Sequence, residues 1–143
     1  MPDIFHTFPI NTSAERVFRA ISTPEGLDCW WTKSANGKVG LGEVYDLFFG
    51  EGYHWTGLVS KYIPDKEFEL TMTNADSDWL NTKVGFLLSP EGETTVLAFY
   101  HTGWPAINEH YRISNFCWAM YLRILKRYLE LGEQVVYEER LNV

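Results

Sequence analysis

Four histidines are the residues of this sequence best suited to acid–base or metal chemistry: His6, His54, His101 and His110. They lie in four separate segments. No two of them stand four residues apart on a predicted helix, the spacing at which a helix presents two metal ligands. A metal site would have to be assembled in space from His54, His101 and an acid such as Glu43 or Asp46. Because no spacing favours such a site, we predict no metal and no cofactor.

His101 is the histidine placed best for a role in a binding site. By strand alternation it shares a face with Leu97 and Phe99, and it comes just before a Gly-Trp-Pro turn. If that face lines a cavity, the imidazole is a polar contact for a ligand or a general base. The alternative, and the commoner situation, is an imidazole near a strand end that is bonded to backbone or water.

The other reactive side chains form no catalytic pattern. Cys29 and Cys117 stand in apolar segments, where burial raises the pKa of a thiol and leaves it inert. Asp76 and Asp78 share a polar turn, which is typical of a solvated surface. The sequence has neither a nucleophile elbow nor a glycine-rich loop before a helix. We therefore predict no catalytic residue.

Charge and composition exclude several classes of partner. The net charge is −7 and no run of Lys or Arg occurs, which argues against nucleic acid and anionic membranes. No apolar run is long enough for a transmembrane span or a signal peptide, so we expect no membrane insertion. Two distant cysteines are too few for a disulfide framework and fit a reducing cytoplasm.

The strongest signal is aromatic. The aromatic fraction is 16%, with six tryptophans, more rings than a core of this size needs. Each ring alone is explained by core packing, but together they suit an apolar pocket with a few polar groups. The predicted ligand-binding residues are Trp30, Trp31, Phe48, Trp55, Trp79, Phe86, Phe99, His101, Trp118, Tyr121 and Leu122.

Hydrophobic periodicity predicts the elements that would position these side chains. Alternation and turn residues predict strands, a 3.6-residue period predicts helices, and Pro24 begins the second helix. The predicted order is a strand over 3–10, helices over 14–22 and 24–31, strands over 42–50, 53–63, 67–73, 79–89 and 94–102, and a helix over 108–131. The tail from Glu133 is predicted to add a little β-structure or to lie on the surface.

The last helix organises the chain. Its apolar stripe contains Tyr111, Trp118, Leu122, Leu125 and Leu129, and needs a broad apolar partner. Several predicted strands are apolar on both faces, which indicates a curved sheet. We predict one domain over 1–143 of class α+β, with a curved antiparallel sheet of about six strands wrapped round the long C-terminal helix and two short helices after the first strand.

Two further apolar residues of this helix, Phe116 and Met120, lie at the edge of its polar arc. If both are exposed, they would form a contact between two copies of the chain. We therefore predict a possible homodimer through this helix.

Three stretches together resemble a known superfamily: SAERVFRAISTPEGLDCWW, GLVSKYIPDKEFELTMT, and HTGWP followed by FCWAMYLRILKRYLE. The chain resembles the helix-grip group (START-like, SRPBCC, Bet v 1-like), and within it the small proteins related to the C-terminal domain of the Hsp90 ATPase activator Aha1. The resemblance implies a cavity between sheet and long helix that holds a hydrophobic small molecule. It carries no shared set of catalytic residues.

The sequence departs from this family at two points. Cys117 stands where the family often has Gly, before the helix tryptophan. The full co-chaperone also has an N-terminal domain that binds Hsp90, for which these 143 residues have no room, and this argues against an Hsp90 interaction.

The expected function is binding of a small hydrophobic or amphipathic ligand in the cavity. One alternative is an enzyme of the polyketide cyclase or aromatase type, which a titratable pair facing the cavity would favour. The other is an Hsp90 co-chaperone-like interaction module, which a filled cavity and an exposed apolar patch would favour. The sequence favours a binding protein over an enzyme.

Overall fold

The computed structural model describes residues 2–143. Within these residues the chain forms seven strands, three α-helices and a C-terminal 3₁₀ helix. Their bounds are β1 Ile4–Ile10, α1 Ala14–Ser22, α2 Pro24–Asp28, β2 Ser34–Asn36, β3 Val44–Phe48, β4 His54–Ile63, β5 Glu67–Asn74, β6 Lys83–Glu91, β7 Thr94–Thr102, α3 Glu109–Leu131 and the 3₁₀ helix Tyr137–Asn142.

The strands form one antiparallel sheet in the order β1-β7-β6-β5-β4-β3-β2. Strands β2 to β7 follow one another as a meander, because short turns join successive antiparallel strands. β1 closes the order by pairing with β7 over its whole length, from Ile4 opposite His101 to Ile10 opposite Thr95. The predicted curved sheet with a long C-terminal helix is confirmed. β2, a strand of three residues at the sheet edge, is the element that the alternation pattern missed.

α3 lies against the inner face of the sheet. Asn108 caps the start of the helix by accepting a hydrogen bond from the Tyr111 amide, and Gly132 ends the helix at a φ of 69°. The buried stripe contains Trp118, Leu122, Leu125 and Leu129, with Ser114 and Ile124 beside it. None of the helices described in residues 2–143 is long and apolar enough to span a membrane.

The two largest errors in the predicted bounds both lie beside tryptophans. The helix predicted over 24–31 ends at Asp28, and the next residues make turn hydrogen bonds back to the Leu27 carbonyl. The strand predicted over 79–89 begins only at Lys83. Asn81 has a φ of 67°, a left-handed conformation that a regular strand does not contain. Both irregular segments place Trp31 and Trp79 at the same end of the sheet.

Candidate functional site

A cavity of about 290 Å³ opens at the end of the sheet, between the turns there and the N-terminal half of α3. Its walls come from the segment after α2, the β3–β4 turn, the β5–β6 loop, α3 and the C-terminal 3₁₀ helix. Most of its lining residues are aromatic. The lining residues are Trp31, Phe49, Tyr53, Trp55, Trp79, His110, Ile113, Ser114, Cys117, Trp118, Tyr121 and Tyr137.

Trp118 is the central ring of the cavity wall. Its ring is 5.2 Å from that of Trp31 and 5.8 Å from that of Trp79, measured between ring centroids, and it stacks on Trp79 at 24°. Trp79 in turn contacts Trp55 at 5.1 Å. Contacts at these distances and angles are favourable because ring quadrupoles prefer offset or edge arrangements. The result is a continuous aromatic wall contributed by segments that are far apart in sequence.

A hydrogen-bonded histidine holds Trp118 from behind. The Trp118 indole nitrogen donates to His101 Nδ1 at 3.0 Å, and His101 Nε2 lies 2.8 Å from the Thr82 hydroxyl. Because an indole can only donate, Nδ1 must accept, so the proton of the neutral ring is on Nε2. Burial, reinforced by the nearby His110, lowers the pKa of His101 to about 3. His101 is therefore a neutral imidazole in the core, and both of its ring nitrogens are hydrogen-bonded.

Trp79 is held through the same network. The Thr82 hydroxyl donates to the Trp79 carbonyl at 2.5 Å, and the Trp79 indole nitrogen donates to Ser114 Oγ at 3.3 Å. Ser114 and Trp118 are one helical turn apart on α3. Hydrogen bonds as well as packing therefore hold Trp79 and Trp118 in place relative to each other and to His101.

The polar groups of the cavity are few. The Tyr121 hydroxyl makes no hydrogen bond to another residue within 2–143, and burial raises the pKa of Tyr121 to about 12, so the hydroxyl stays protonated. Burial also raises the pKa of the Cys117 thiol, which keeps it protonated and unreactive. Ser114 and Tyr121 can therefore each offer a hydrogen bond to a ligand.

His110 lines the cavity and is paired with Asp78, which is not itself a lining residue. His110 Nδ1 lies 3.2 Å from Asp78 Oδ2, and the Asn108 amide donates to the same oxygen at 3.3 Å. The side chains of His110 and Asp78 are 35% and 28% exposed. Asp78 lies in the polar turn predicted for it, but it is half-buried because the start of α3 folds over it.

The C-terminal 3₁₀ helix closes the cavity on the far side. The Tyr137 hydroxyl donates to the Phe49 carbonyl at 2.7 Å, which fixes the ring in the wall. Arg140 is buried and its guanidinium donates to the carbonyls of Asp28, Thr32 and Val135 at 2.6–3.1 Å. The tail from Glu133 is therefore an integral part of the cavity and adds no β-structure.

Five of the predicted ligand-binding residues line this cavity: Trp31, Trp55, Trp79, Trp118 and Tyr121. Six do not. The space between the sheet and the middle of α3 is filled by Trp30, Phe86, Phe99, His101 and Leu122, all of which are buried in the core. Phe48 lies on the outer face of β3, with its ring edge against His54.

The lining residues that the sequence did not indicate are Phe49, Tyr53, His110, Ile113, Ser114, Cys117 and Tyr137. A signal existed for part of this set. His110, Ser114, Cys117 and Tyr121 follow one another at steps of three and four residues, which places them on one face of α3. Phe49 and Tyr53 flank the turn that precedes Trp55. Tyr137 had no signal, since its segment shows no periodicity.

The structure offers no support for the metal site considered above. His54 Nε2 lies 3.8 Å from Asp46 Oδ1 on the surface, whereas His101 is in the core. No group of three potential ligands from His, Cys, Asp and Glu comes together anywhere in residues 2–143.

Comparison with known proteins gives the family of the chain. The family model of the Activator of Hsp90 ATPase homolog 1-like proteins matches residues 11–130. The Aha1 dimer from Colwellia psychrerythraea is 30% identical in sequence, with a TM-score of 0.84 over 93% of this chain and 99% of that chain. No curated protein matches the sequence.

Two more distant structures share the fold. A protein from Mesorhizobium loti is 20% identical, with a TM-score of 0.81 over 92% of this chain and 99% of that chain. CalU16 from Micromonospora echinospora is 19% identical, with a TM-score of 0.75 over 96% of this chain and 83% of that chain. The extent of the family match and the 30% identity over nearly the whole length lead to one conclusion. The chain belongs to the family of Activator of Hsp90 ATPase homolog 1-like proteins, within the START-like helix-grip group.

Proposed function

We propose that the protein binds a small, planar, mainly apolar molecule in the aromatic cavity. The main support for this proposal is that the rings of four tryptophans line the open cavity of about 290 Å³: Trp31, Trp55, Trp79 and Trp118. The lining is mostly aromatic with a few polar groups, which is the usual make-up of a small-molecule site. This volume is at the lower end of the usual range for ligand sites, which suits a ligand of about one or two fused rings.

Ring stacking would supply most of the affinity of such a ligand. Transfer of apolar surface from water is worth about 25 cal/mol per Å², before the costs of ordering the ligand. Because hydrogen bonds already fix Trp79 and Trp118, binding would not have to order these side chains. A preformed wall of this kind raises affinity by lowering the ordering cost.

Orientation of the ligand would come from Tyr121 and Ser114. The Tyr121 hydroxyl is protonated and makes no hydrogen bond to any other residue that the structure describes, so it is a donor for an oxygen substituent on the ligand. Ser114 Oγ accepts from Trp79 and keeps its own proton for donation. The expected ligand is therefore a planar ring system that carries one or two carbonyl or hydroxyl groups.

A second copy of the chain is the partner we propose for the outer face of α3. There Phe116 is 77% exposed, beside Met120 and Val143 in a groove at the surface. The Colwellia protein is a dimer. Antiparallel pairing of two α3 helices would bring Glu109 near Arg127 of the second copy, which are opposite charges. This arrangement would cover the apolar face and complement the helix dipoles.

The cytoplasm is the location we propose, as expected from the sequence. Cys29 and Cys117 are both free thiols and the aromatic core is built without a disulfide. Reduced cysteines are the usual state of cytoplasmic proteins.

Native mass spectrometry of the purified protein tests the binding proposal. The expected result is a stoichiometric extra mass that disappears after denaturing extraction and belongs to a planar ring compound. If the protein carries no extra mass and also fails to bind planar aromatic probes added at high concentration, the binding proposal is wrong.

A further inference from the structure

His110 lines the cavity and is paired with Asp78, and the proposed binding does not use this pair. The Asp78 carboxylate can only accept a hydrogen bond, so His110 Nδ1 carries the proton in their 3.2 Å contact. His110 Nε2 makes no hydrogen bond within residues 2–143. In the neutral ring this nitrogen has a lone pair and can take a proton.

We infer that His110, oriented by Asp78, is a general base that removes a proton from carbon in a ligand bound in the aromatic cavity. This inference rests on the proposed binding function and adds a reaction to it. It also supports the enzyme alternative, because a titratable pair facing the cavity is the feature that would favour an enzyme. His110 would be the catalytic residue and Asp78 a positioning residue.

The surroundings of the pair give the imidazole a single orientation. Asn108 caps α3 through its oxygen, which accepts from the Tyr111 amide at 2.9 Å, and its nitrogen donates to Asp78 at 3.3 Å. The ring of Trp104 stands perpendicular to the His110 ring, 5.5 Å away between centroids. Carboxylate, capping residue and indole thus fix the ring before any ligand arrives, which is what efficient proton transfer requires.

The cavity also suits the charge that such a reaction creates. When the C–H proton moves to His110 Nε2, the electron pair stays on the ligand as an enolate or moves on to break a bond to a leaving oxygen. Ser114 lines the same cavity one helical turn from His110 and can donate to that oxygen. No oxidant or reductant takes part. The predicted substrate class is a planar carbon acid with a carbonyl or an oxygen leaving group.

A nitrobenzisoxazole tests this reaction with a defined probe. The base takes its ring C–H proton, the electron pair forms the nitrile, and the N–O bond breaks to give a coloured cyanophenolate. We expect turnover by the wild-type protein above the rate of free imidazole at equal concentration. His110→Gln should lower kcat by about 100-fold, the usual contribution of a general base.

Two further variants separate a positioning role from a structural one. Asp78→Asn should lower kcat with little change in KM, because Asp78 orients the base without touching the ligand. His54→Gln is the matched control, since His54 also faces a carboxylate, that of Asp46, but at the surface. Its kcat and KM should equal those of the wild-type protein.

The outcomes are distinguishable by measuring probe binding calorimetrically alongside turnover. If the probe binds but is not turned over faster than by imidazole, or if His110→Gln retains the wild-type kcat, the general base is disproved while binding stands. If the probe does not bind at all, both the inference and the proposed binding function fail.

Discussion

The hydrogen bond from the Trp118 indole to His101 can exist only while His101 is neutral. Protonation of Nδ1 would place two donors 3.0 Å apart in a site from which water is excluded. The position of Trp118 in the cavity wall therefore depends on the protonation state of His101. Acid should therefore weaken the fold and the site together.

Stability should fall with acid because of His101. The pKa of His101 is about 3 in the folded protein and 6.5 in the unfolded chain, so the unfolded state binds the extra proton between these values. The contribution of neutral His101 to stability is complete above pH 6.5. As the pH falls from 6.5 to about 3, the free energy of unfolding decreases by up to about 1.4 kcal/mol per pH unit. Urea unfolding at a series of pH values measures this slope.

His101→Gln removes the titrating group and keeps one acceptor and one donor in its place. Below pH 6.5, the slope of its unfolding free energy against pH should be smaller than that of the wild-type protein. The difference is up to about 1.4 kcal/mol per pH unit, because unfolding of the variant takes up one proton fewer. His54→Gln should keep the wild-type slope, since His54 is at the surface. An unchanged slope in His101→Gln would show that His101 is not the source of the acid sensitivity.

Arg140→Met should loosen the C-terminal wall of the cavity. The variant loses hydrogen bonds to three backbone carbonyls, and the tail that carries Tyr137 loses its anchor. We expect faster amide hydrogen exchange over residues 133–143 and several-fold weaker binding of naphthol, measured by calorimetry. Each carbonyl left without a partner in the core costs about 1–3 kcal/mol.

Arg19→Met is the control for this prediction, because it removes only an exposed ion pair with Glu15 on α1. Its tail should exchange at the wild-type rate. Equal exchange in the two variants would mean that the buried guanidinium does not hold the tail.

Tyr100→Phe should destabilise the outer face of the sheet. Glu69 is only 3% exposed there and accepts hydrogen bonds from the Tyr100 and Ser60 hydroxyls, with Lys61 and Lys83 each 3.8 Å away. Removing one donor from a buried carboxylate costs about 1–3 kcal/mol in urea unfolding. Tyr62→Phe, whose hydroxyl makes no hydrogen bond in the described chain, should be nearly neutral. Equal costs would contradict the role given to Glu69.

Phe116→Glu should convert a dimer into a monomer. A carboxylate at the centre of the α3 contact would be buried without a partner. Sedimentation over a range of concentrations measures this, and Phe5→Glu is the matched control, since Phe5 is 67% exposed on β1. If the wild-type protein stays monomeric, a second copy does not cover the outer face of α3, and another protein partner would be sought for it. If the Phe116→Glu variant stays dimeric, the dimer does not form through this face.

The sequence predicted the fold because periodicity reports which face of an element is apolar. α1 and β7 were predicted to the residue, and the stripe of α3 through Trp118 and Leu122 is the buried one. Periodicity fails where the backbone leaves regular geometry, as at Asn81. The strand predicted over 79–89 therefore wrongly included the loop that delivers Trp79 to the cavity.

The site was predicted only in part, for a related reason. Alternation shows that Phe86 and Phe99 point inward, but it does not show whether the space in front of them is empty or filled. Trp30 and Leu122 fill it. The open volume lies at the sheet end, where Tyr137 returns from a tail without periodicity. Such a contact depends on tertiary structure that no local pattern reports.

Calorimetric titration of naphthol into three proteins tests whether planar ligands bind in the aromatic cavity. Cys117→Trp places a large ring inside the cavity, and Asn115→Trp places the same ring on the exposed side of α3, with circular dichroism to show that both variants fold. We expect binding with 1:1 stoichiometry to the wild-type and Asn115→Trp proteins, and at least about tenfold weaker binding to Cys117→Trp, whose cavity is filled. Equal affinity in all three proteins would show that planar ligands do not bind in the aromatic cavity.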